Sequence, residues 1–193
     1  MDYFYVDIET VPLDKEKYLS LDEEERKKLL NPIDSRIVAI GVKKNTLVES
    51  ILQGEDEASL LREFWSLLER KTGPNALPYR IVGFNIKDFD LPFLVTRSFI
   101  LNVPIVPFLL KDVIDIREQI SAYKYGPTRG KLKEFAALLN IPTLNEMDGS
   151  QVAERYWNQE HEKIREYLRK DLEITQKMHE RMKKLRIDEI GRW

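Results

Sequence analysis

The run Tyr3-Phe4-Tyr5-Val6-Asp7-Ile8-Glu9-Thr10 sets the reading of everything that follows it. Tyr3 to Ile8 is almost continuously aromatic or β-branched, the composition of a central strand covered on both faces. Asp7 and Glu9 interrupt it. Side chains two apart on a strand share a face, so these two carboxylates project together. Two like charges among apolar neighbours are costly, and something cationic should compensate them. The alternative is a strand that ends at Val6 and leaves both solvated. Asp-x-Glu recurs at Asp22/Glu24 and Asp171/Glu173, so the spacing alone does not decide.

Outward from this strand, Pro12 closes it and residues 14–34 form a charged insert. Within it, Ser20 to Glu25 reads as the cap and first turn of a short helix ending near Asn31-Pro32. Arg36–Lys43 and Leu47–Gln53 read as strands joined by the polar turn Lys44-Asn45. Leu60, Leu61, Phe64, Leu67 and Leu68 recur at helical spacing and predict an amphipathic helix over 56–71, ended by Gly73-Pro74-Asn75. A strand at Arg80–Phe84, a helix at 90–101 and a short strand at Val113–Ile116 follow. Beyond the basic glycine loop Gly126–Gly130 come helices at Lys131–Asn140 and 159–186. Three strands in meander order, then alternating helix and strand, predict an α/β fold with a mixed sheet flanked by helices. No repeat or low-complexity segment is evident, and 193 residues fit one domain spanning 1–193.

Composition narrows the chemistry. Without cysteine there are no disulfides, thiolate nucleophiles or Cys-ligated zinc, and the two histidines lack zinc-site spacing. The N-terminus lacks the basic n-region of a signal peptide, and no apolar run reaches the ~18 residues of a membrane span, so a cytoplasmic protein with no membrane partner is expected. A formal charge of −2 argues at first against nucleic acid. Net charge says little about local patches, however, and carboxylates that await divalent metal depress it.

Two further carboxylates are out of place. Ile164, Leu168, Asp171, Thr175, Met178, Met182 and Leu185 step by three and four along one helical face, putting Asp171 in an apolar stripe with Tyr167 one turn earlier. A structural salt bridge to an arginine is the alternative. Gly83 to Leu94 leaves a strand and enters a helix, and Asp90, two residues before Pro92, stands where an N-cap would. Asp88 can cap instead, which frees Asp90.

Taken in order, Val6-Asp7-Ile8-Glu9-Thr10, Asn85 to Asp90, and Tyr167-Leu168-Arg169-Lys170-Asp171 resemble the three motifs of the DEDD 3′-5′ exonuclease superfamily, which has a ribonuclease-H-like fold. Tyrosine in the third motif resembles the tyrosine subclass. The histidine subclass is set aside, because five residues beyond His161 is Glu166 and beyond His179 is Lys184. Gly83–Leu94 and Leu144–Val152 are similar to the proofreading exonuclease domains of family B DNA polymerases and their free-standing relatives. The likeness covers roughly 1–185, and the 14–34 insert matches least.

The resemblance implies metal-dependent hydrolysis of phosphodiester bonds in single-stranded DNA or frayed 3′ ends. Two Mg²⁺ or Mn²⁺ ions would be held by Asp7, Glu9, Asp90 and Asp171. Asp7 would bridge both ions, Glu9 and Asp171 would complete the site of the attacking water, and Tyr167 would orient that water. Physical reasoning agrees: in-line cleavage needs an activated water and a stabilised leaving oxygen, which two ions about 3.5–4 Å apart supply given hard oxygen ligands. The likeness also implies Thr10, Asn85 and Phe89 as substrate contacts, with core packing an equal reading of Phe89. Arg129, Lys131 and Lys133 form a basic cluster suited to tracking phosphates, or an ordinary solvated helix face. An exoribonuclease with the same site is the nearest alternative; a non-catalytic binding module of the same fold is a rival from another class. Ile187, Ile190 and Trp193 would suit a self-association surface or pack back on the domain.

Overall fold

The apolar run forms β1, Asp2–Pro12, the middle strand of a five-stranded sheet. A computed structural model of the chain describes residues 1–45, 48–69, 79–124, 130–144 and 147–190. The strand does not stop at Val6 or Ile8. It continues to Pro12, so Asp7 and Glu9 lie within it and a solvated strand end is excluded.

From Pro12 the chain makes α1 (Lys15–Ser20) and α2 (Glu23–Lys28), two short helices where the sequence suggested one. Asp14 and Asp22 cap them, accepting from the backbone N–H of Lys17 at 2.8 Å and of Glu25 at 2.9 Å. Ser20 is no cap: its hydroxyl donates back to the Lys17 carbonyl. Next come β2 (Ser35–Lys44), β3 (Val48–Gln53), α3 (Glu57–Glu69), β4 (Tyr79–Gly83), α4 (Asp90–Ile100), β5 (Val113–Asp115) and α5 (Ile116–Ile120). The chain then forms α6 (Leu132–Leu138), α7 (Val152–Trp157) and the long α8 (His161–Lys184). α5 and α7 were not anticipated; both are short, and α5 is held by Asp115, which caps it by accepting from Arg117 and Glu118.

The strand order is β3-β2-β1-β4-β5. β1, β2 and β3 pair antiparallel, whereas β4 runs parallel to β1 and β5 parallel to β4. The meander and the mixed sheet are therefore as expected. One face is sealed by α3 and α4: Phe4, Val6 and Ile8 of β1 pack there with Leu61, Phe64 and Leu68 of α3 and with Phe93 and Leu94 of α4. The other face receives α6, α7 and α8, through Tyr5, Val11, Ile164, Leu168, Leu172 and Met178. Alternation along β1 thus turns Asp7 and Glu9 toward α8.

Two local features set how α8 meets β1. In β2, Gly41 stands directly across from Asp7. A Cβ at 41 would come within 2.8 Å of Leu172 and 2.9 Å of Leu168, so only glycine lets α8 lie this close. The β1–β2 register also shifts between Glu9 and Thr10. The backbone N–H of Ile37 beyond that shift donates to Glu57 at 2.8 Å, and Glu57 is itself held by Arg97 at 2.6 Å in a buried ion pair.

Candidate active site

Because Asp171 lies between Leu168 and Leu172 on α8, the close contact at Gly41 delivers its carboxylate to β1. One oxygen each from Asp7, Glu9 and Asp171 falls within 4.8 Å of the others, with Glu9 and Asp171 buried and Asp7 partly open. Among the described residues this is the cluster able to hold a cation. Asp90, the first residue of α4, reaches the same strand from the opposite helix layer. Its Oδ1 accepts the backbone N–H of Ile8 at 3.0 Å, and its carboxyl lies within hydrogen-bonding reach of Asp7. Neither Asp90 nor Asp88 caps α4: Phe89 occupies the position before the helix and no side chain caps it. Asp90 is freed from capping by bonding the strand, not by a substitute cap.

Burial and mutual repulsion make this group unwilling to ionise. Asp7 is pushed well above the usual carboxylate range, first by burial and then by Asp90, Asp171 and Glu9. Glu9 is raised in the same way, by burial and then Asp171 and Asp90. Burial lifts Asp90 to about 8, although backbone N–H groups favour its charged form. Asp171 is raised to about 6 by burial, opposed by Tyr167 and Lys133. Asp171 also keeps a buried oxygen with no hydrogen-bond partner. Such a set of hard oxygens, charge-crowded and with one orphaned atom, fits a divalent cation.

Tyr167 lies one turn before Asp171 and is buried. Burial and then the charges of Asp171, Glu9 and Asp7 raise its pKa, so the hydroxyl keeps its proton. Gly149 borders that hydroxyl, an added Cβ lying 4.0 Å from it, which places the start of the Gly149–Trp157 segment at the site's rim.

Lys133 of α6 stands beside Tyr167. Its ammonium donates to the carbonyls of Leu144 (3.1 Å) and Met147 and lies 4.6 Å over the Tyr167 ring. Its charge lowers the carboxyls of Glu9 and Asp171, and so partly offsets the negative charge gathered at β1. The sequence offered no signal for it beyond the bare demand for a positive charge. The other expected substrate contacts have these surroundings. Thr10 is buried. Phe89 packs on Phe93, ring centroids 4.9 Å apart, at the margin of the α3–α4 core. Asn85 has a left-handed backbone (φ 61°), its N–H bonded to Asp115 and its side-chain oxygen to Arg117. Lys131 begins α6 with its backbone N–H on Glu134. Arg129 lies outside the described residues.

Residues 26–188 match a family described as a predicted 3′-5′ exonuclease related to the exonuclease domain of PolB. The chain belongs to that family. The match begins after β1, so Asp7 and Glu9 join the site through the fold and not through the matched stretch. The chain is 35% identical over 163 residues to the uncharacterized protein MJ0365 of Methanocaldococcus jannaschii, covering 78% of this chain and 87% of that one. Its fold matches that of the family B DNA polymerase from the hyperthermophilic archaeon Pyrobaculum calidifontis, with a TM-score of 0.68 at 18% identity over 94% of this chain. The chain spans about a quarter of that polymerase's length, 24%. The mixed five-stranded sheet with flanking helices is accordingly the ribonuclease-H-like architecture of a PolB exonuclease. Among the described residues no helix is long and apolar enough to cross a membrane. Ile187 packs against the α8-side core while Ile190 is exposed; Trp193 lies outside the described residues.

Proposed function

We propose that this chain is a 3′-5′ exonuclease of the tyrosine DEDD type that hydrolyses single-stranded DNA or frayed 3′ ends. The observation that carries the reading is the convergence of Asp7, Glu9, Asp90 and Asp171, from one strand and two helices on opposite layers, around a single point of β1. Family membership supports a nuclease and implies a nucleic-acid substrate.

In this reading the four carboxylates hold two Mg²⁺ or Mn²⁺ ions, which when bound supply an activated water and neutralise the departing 3′ oxygen. The protein's own part is positional and electrostatic. Asp7, with its open side, faces the substrate, while Glu9 and Asp171 are kept rigid by burial. Tyr167, protonated, donates its hydroxyl hydrogen to Asp171 and orients the attacking water by accepting from it, since a phenol raised above its ordinary value is no base at neutral pH. Lys133 offsets the negative charge of Glu9 and Asp171 before substrate arrives. The Asn85–Phe93 segment beside Asp90 forms the wall that stops the strand and gives end recognition.

The test uses 3′-labelled and 5′-labelled linear oligomers of DNA and RNA, with a covalently closed single-stranded DNA circle, in Mg²⁺, Mn²⁺ or EDTA. Early release of label from the 3′ end only, survival of the circle and arrest by EDTA are expected, with DNA cut faster than RNA. Prompt cutting of the circle, lost in Asp7→Ala, would overturn the exonuclease reading while sparing the metal site. Faster cutting of RNA would make the enzyme an exoribonuclease, and no metal-dependent cutting at all would leave a binding module.

A further inference from the structure

The 14–34 insert does more than cover an edge. As the chain leaves β1, Tyr18 of α1 folds back onto the same cluster that contains Val11 and Tyr167, its ring 5.3 Å from that of Trp157 in α7 at 67°. Cations lie over these rings. Lys15 lies 5.4 Å above Trp157, Arg26 is 4.7 Å from Tyr18, and Arg36 is 5.4 Å from Tyr156.

The pairing of charges in this region is selective. Lys17 and Lys27 face Asp34 (3.8 Å) and Glu24 (2.8 Å), and Lys28 pairs with Glu25. Arg26 and Arg36 instead direct their side-chain donors to the carbonyls of Tyr18, Leu19 and Glu55 and to the Tyr156 hydroxyl. Asp14, the acidic neighbour of Lys15, is engaged in capping α1. Among the described residues Lys15, Arg26 and Arg36 form no ion pair with a carboxylate. Rings interleaved with cations that are in no ion pair suit a single strand, bases stacking while the backbone is tracked by charge.

Its distance from the carboxylates is short by two routes. Lys15 follows Glu9 by six residue steps, at most about 20 Å along extended chain. Gly149, at the Tyr167 hydroxyl, precedes Trp157 by eight residues of helical turn, roughly 12–16 Å.

We infer that α1 and α7 together form a stacking platform for single-stranded nucleic acid, with Trp157, Tyr18 and Lys15 holding the part of the strand that lies 5′ of the bond being cut. The inference rests on the exonuclease reading for the direction of the strand. Its own consequence is length dependence: affinity rises when an oligomer is long enough to reach the platform, and that gain belongs to α1 and α7 alone.

The experiment measures binding of dinucleotides and dodecamers of oligothymidylate and oligouridylate to the whole chain in Ca²⁺, with cleavage of the same oligomers in Mg²⁺. The variants are Lys15→Glu, an exposed position whose change leaves Tyr18 on Trp157, and Trp157→Ala, each checked for an unchanged circular-dichroism spectrum. Lys15→Glu is expected to weaken dodecamer binding and flatten its salt dependence, since a cation is lost and no ring, and to leave dinucleotide binding and cleavage as in the wild type. Trp157→Ala should weaken dodecamer binding roughly 5- to 100-fold, the range of one lost base stack, with dinucleotide binding unchanged. Equal loss for both lengths, or dodecamer binding by Lys15→Glu at wild-type strength, overturns the platform. Wild-type chain that binds the dodecamer length-dependently but cuts nothing would sink the exonuclease reading and sustain the platform. The thymidylate and uridylate arms decide which nucleic acid it prefers.

Discussion

Replacing Asp171 with asparagine should destroy activity and, in the absence of metal, make the protein more stable at alkaline pH. The carboxyl is buried and its pKa is raised from 3.8 to about 6, chiefly by burial. That change corresponds to about 3 kcal/mol. The sign follows from which state holds the proton more tightly. Below 3.8 the carboxyl is protonated folded and unfolded, so it imposes no cost; as pH rises through about 6 the folded protein must ionise it in place and loses that stability. Asparagine has the same shape and does not titrate. Asp171→Asn should therefore match wild type near pH 4 and exceed it by up to about 3 kcal/mol at pH 8 in EDTA. Added Mg²⁺ or Mn²⁺ should narrow or reverse the gap, because binding to the folded wild type alone stabilises it by mass action. Urea unfolding followed by circular dichroism at pH 4, 6 and 8, with and without metal, measures all three. A variant less stable than wild type at pH 8 in EDTA, or a difference that ignores pH, would refute the argument that burying this charge strains the site. Cleavage by Asp171→Asn at the wild-type rate would refute its place as a ligand.

Asp7→Ala should abolish cleavage with little loss of fold, measured by nuclease assay beside a thermal melt; wild-type cutting would remove Asp7 from the site. Tyr167→Phe should slow single-turnover cleavage by about 10²–10⁴ with Mn²⁺ binding unchanged, the usual worth of a positioned hydroxyl, and an unaltered rate would reduce the tyrosine to packing. Gly41→Val, whose Cβ would meet Leu172 at 2.8 Å, should cost roughly 1–3 kcal/mol and weaken Mn²⁺ binding by lifting α8 from β1. Calorimetric titration showing wild-type metal affinity in a folded Gly41→Val would break that link. Buried His179 bonds the Tyr5 hydroxyl at 3.0 Å, and its pKa falls from 6.5 to about 4, through burial first and then Lys183 and Arg80. The unfolded chain takes up this proton first as pH drops, so the histidine withdraws about 3 kcal/mol of stability between pH 6.5 and 4. His179→Gln should remove that part of the acid slope in urea titrations, and an identical slope would contradict it.

Much of this protein is written in local pattern. The apolar run at Tyr3–Ile8 specified a central strand, because only a strand covered on both faces tolerates so little polarity, and the period of two placed Asp7 and Glu9 on one side. The steps of three and four along 159–186 placed Asp171 in an apolar stripe with Tyr167 beside it, again a matter of helical geometry alone. Other features are not local. Asp90 and Asp88 were legible as caps, yet Asp90 bonds Ile8, more than eighty residues away in sequence. The place of Lys133 over the Tyr167 ring, and of Phe89 against Phe93, arises only once the helices have packed. Gly41 carries no motif; its meaning arises when α8 lies across it at the point opposite Asp7. Periodicity dictates which way a side chain faces along its own element. Which groups then share a buried site, and which charge answers which, depends on layers that meet only when the sheet is complete, since burial and proximity create the energies involved.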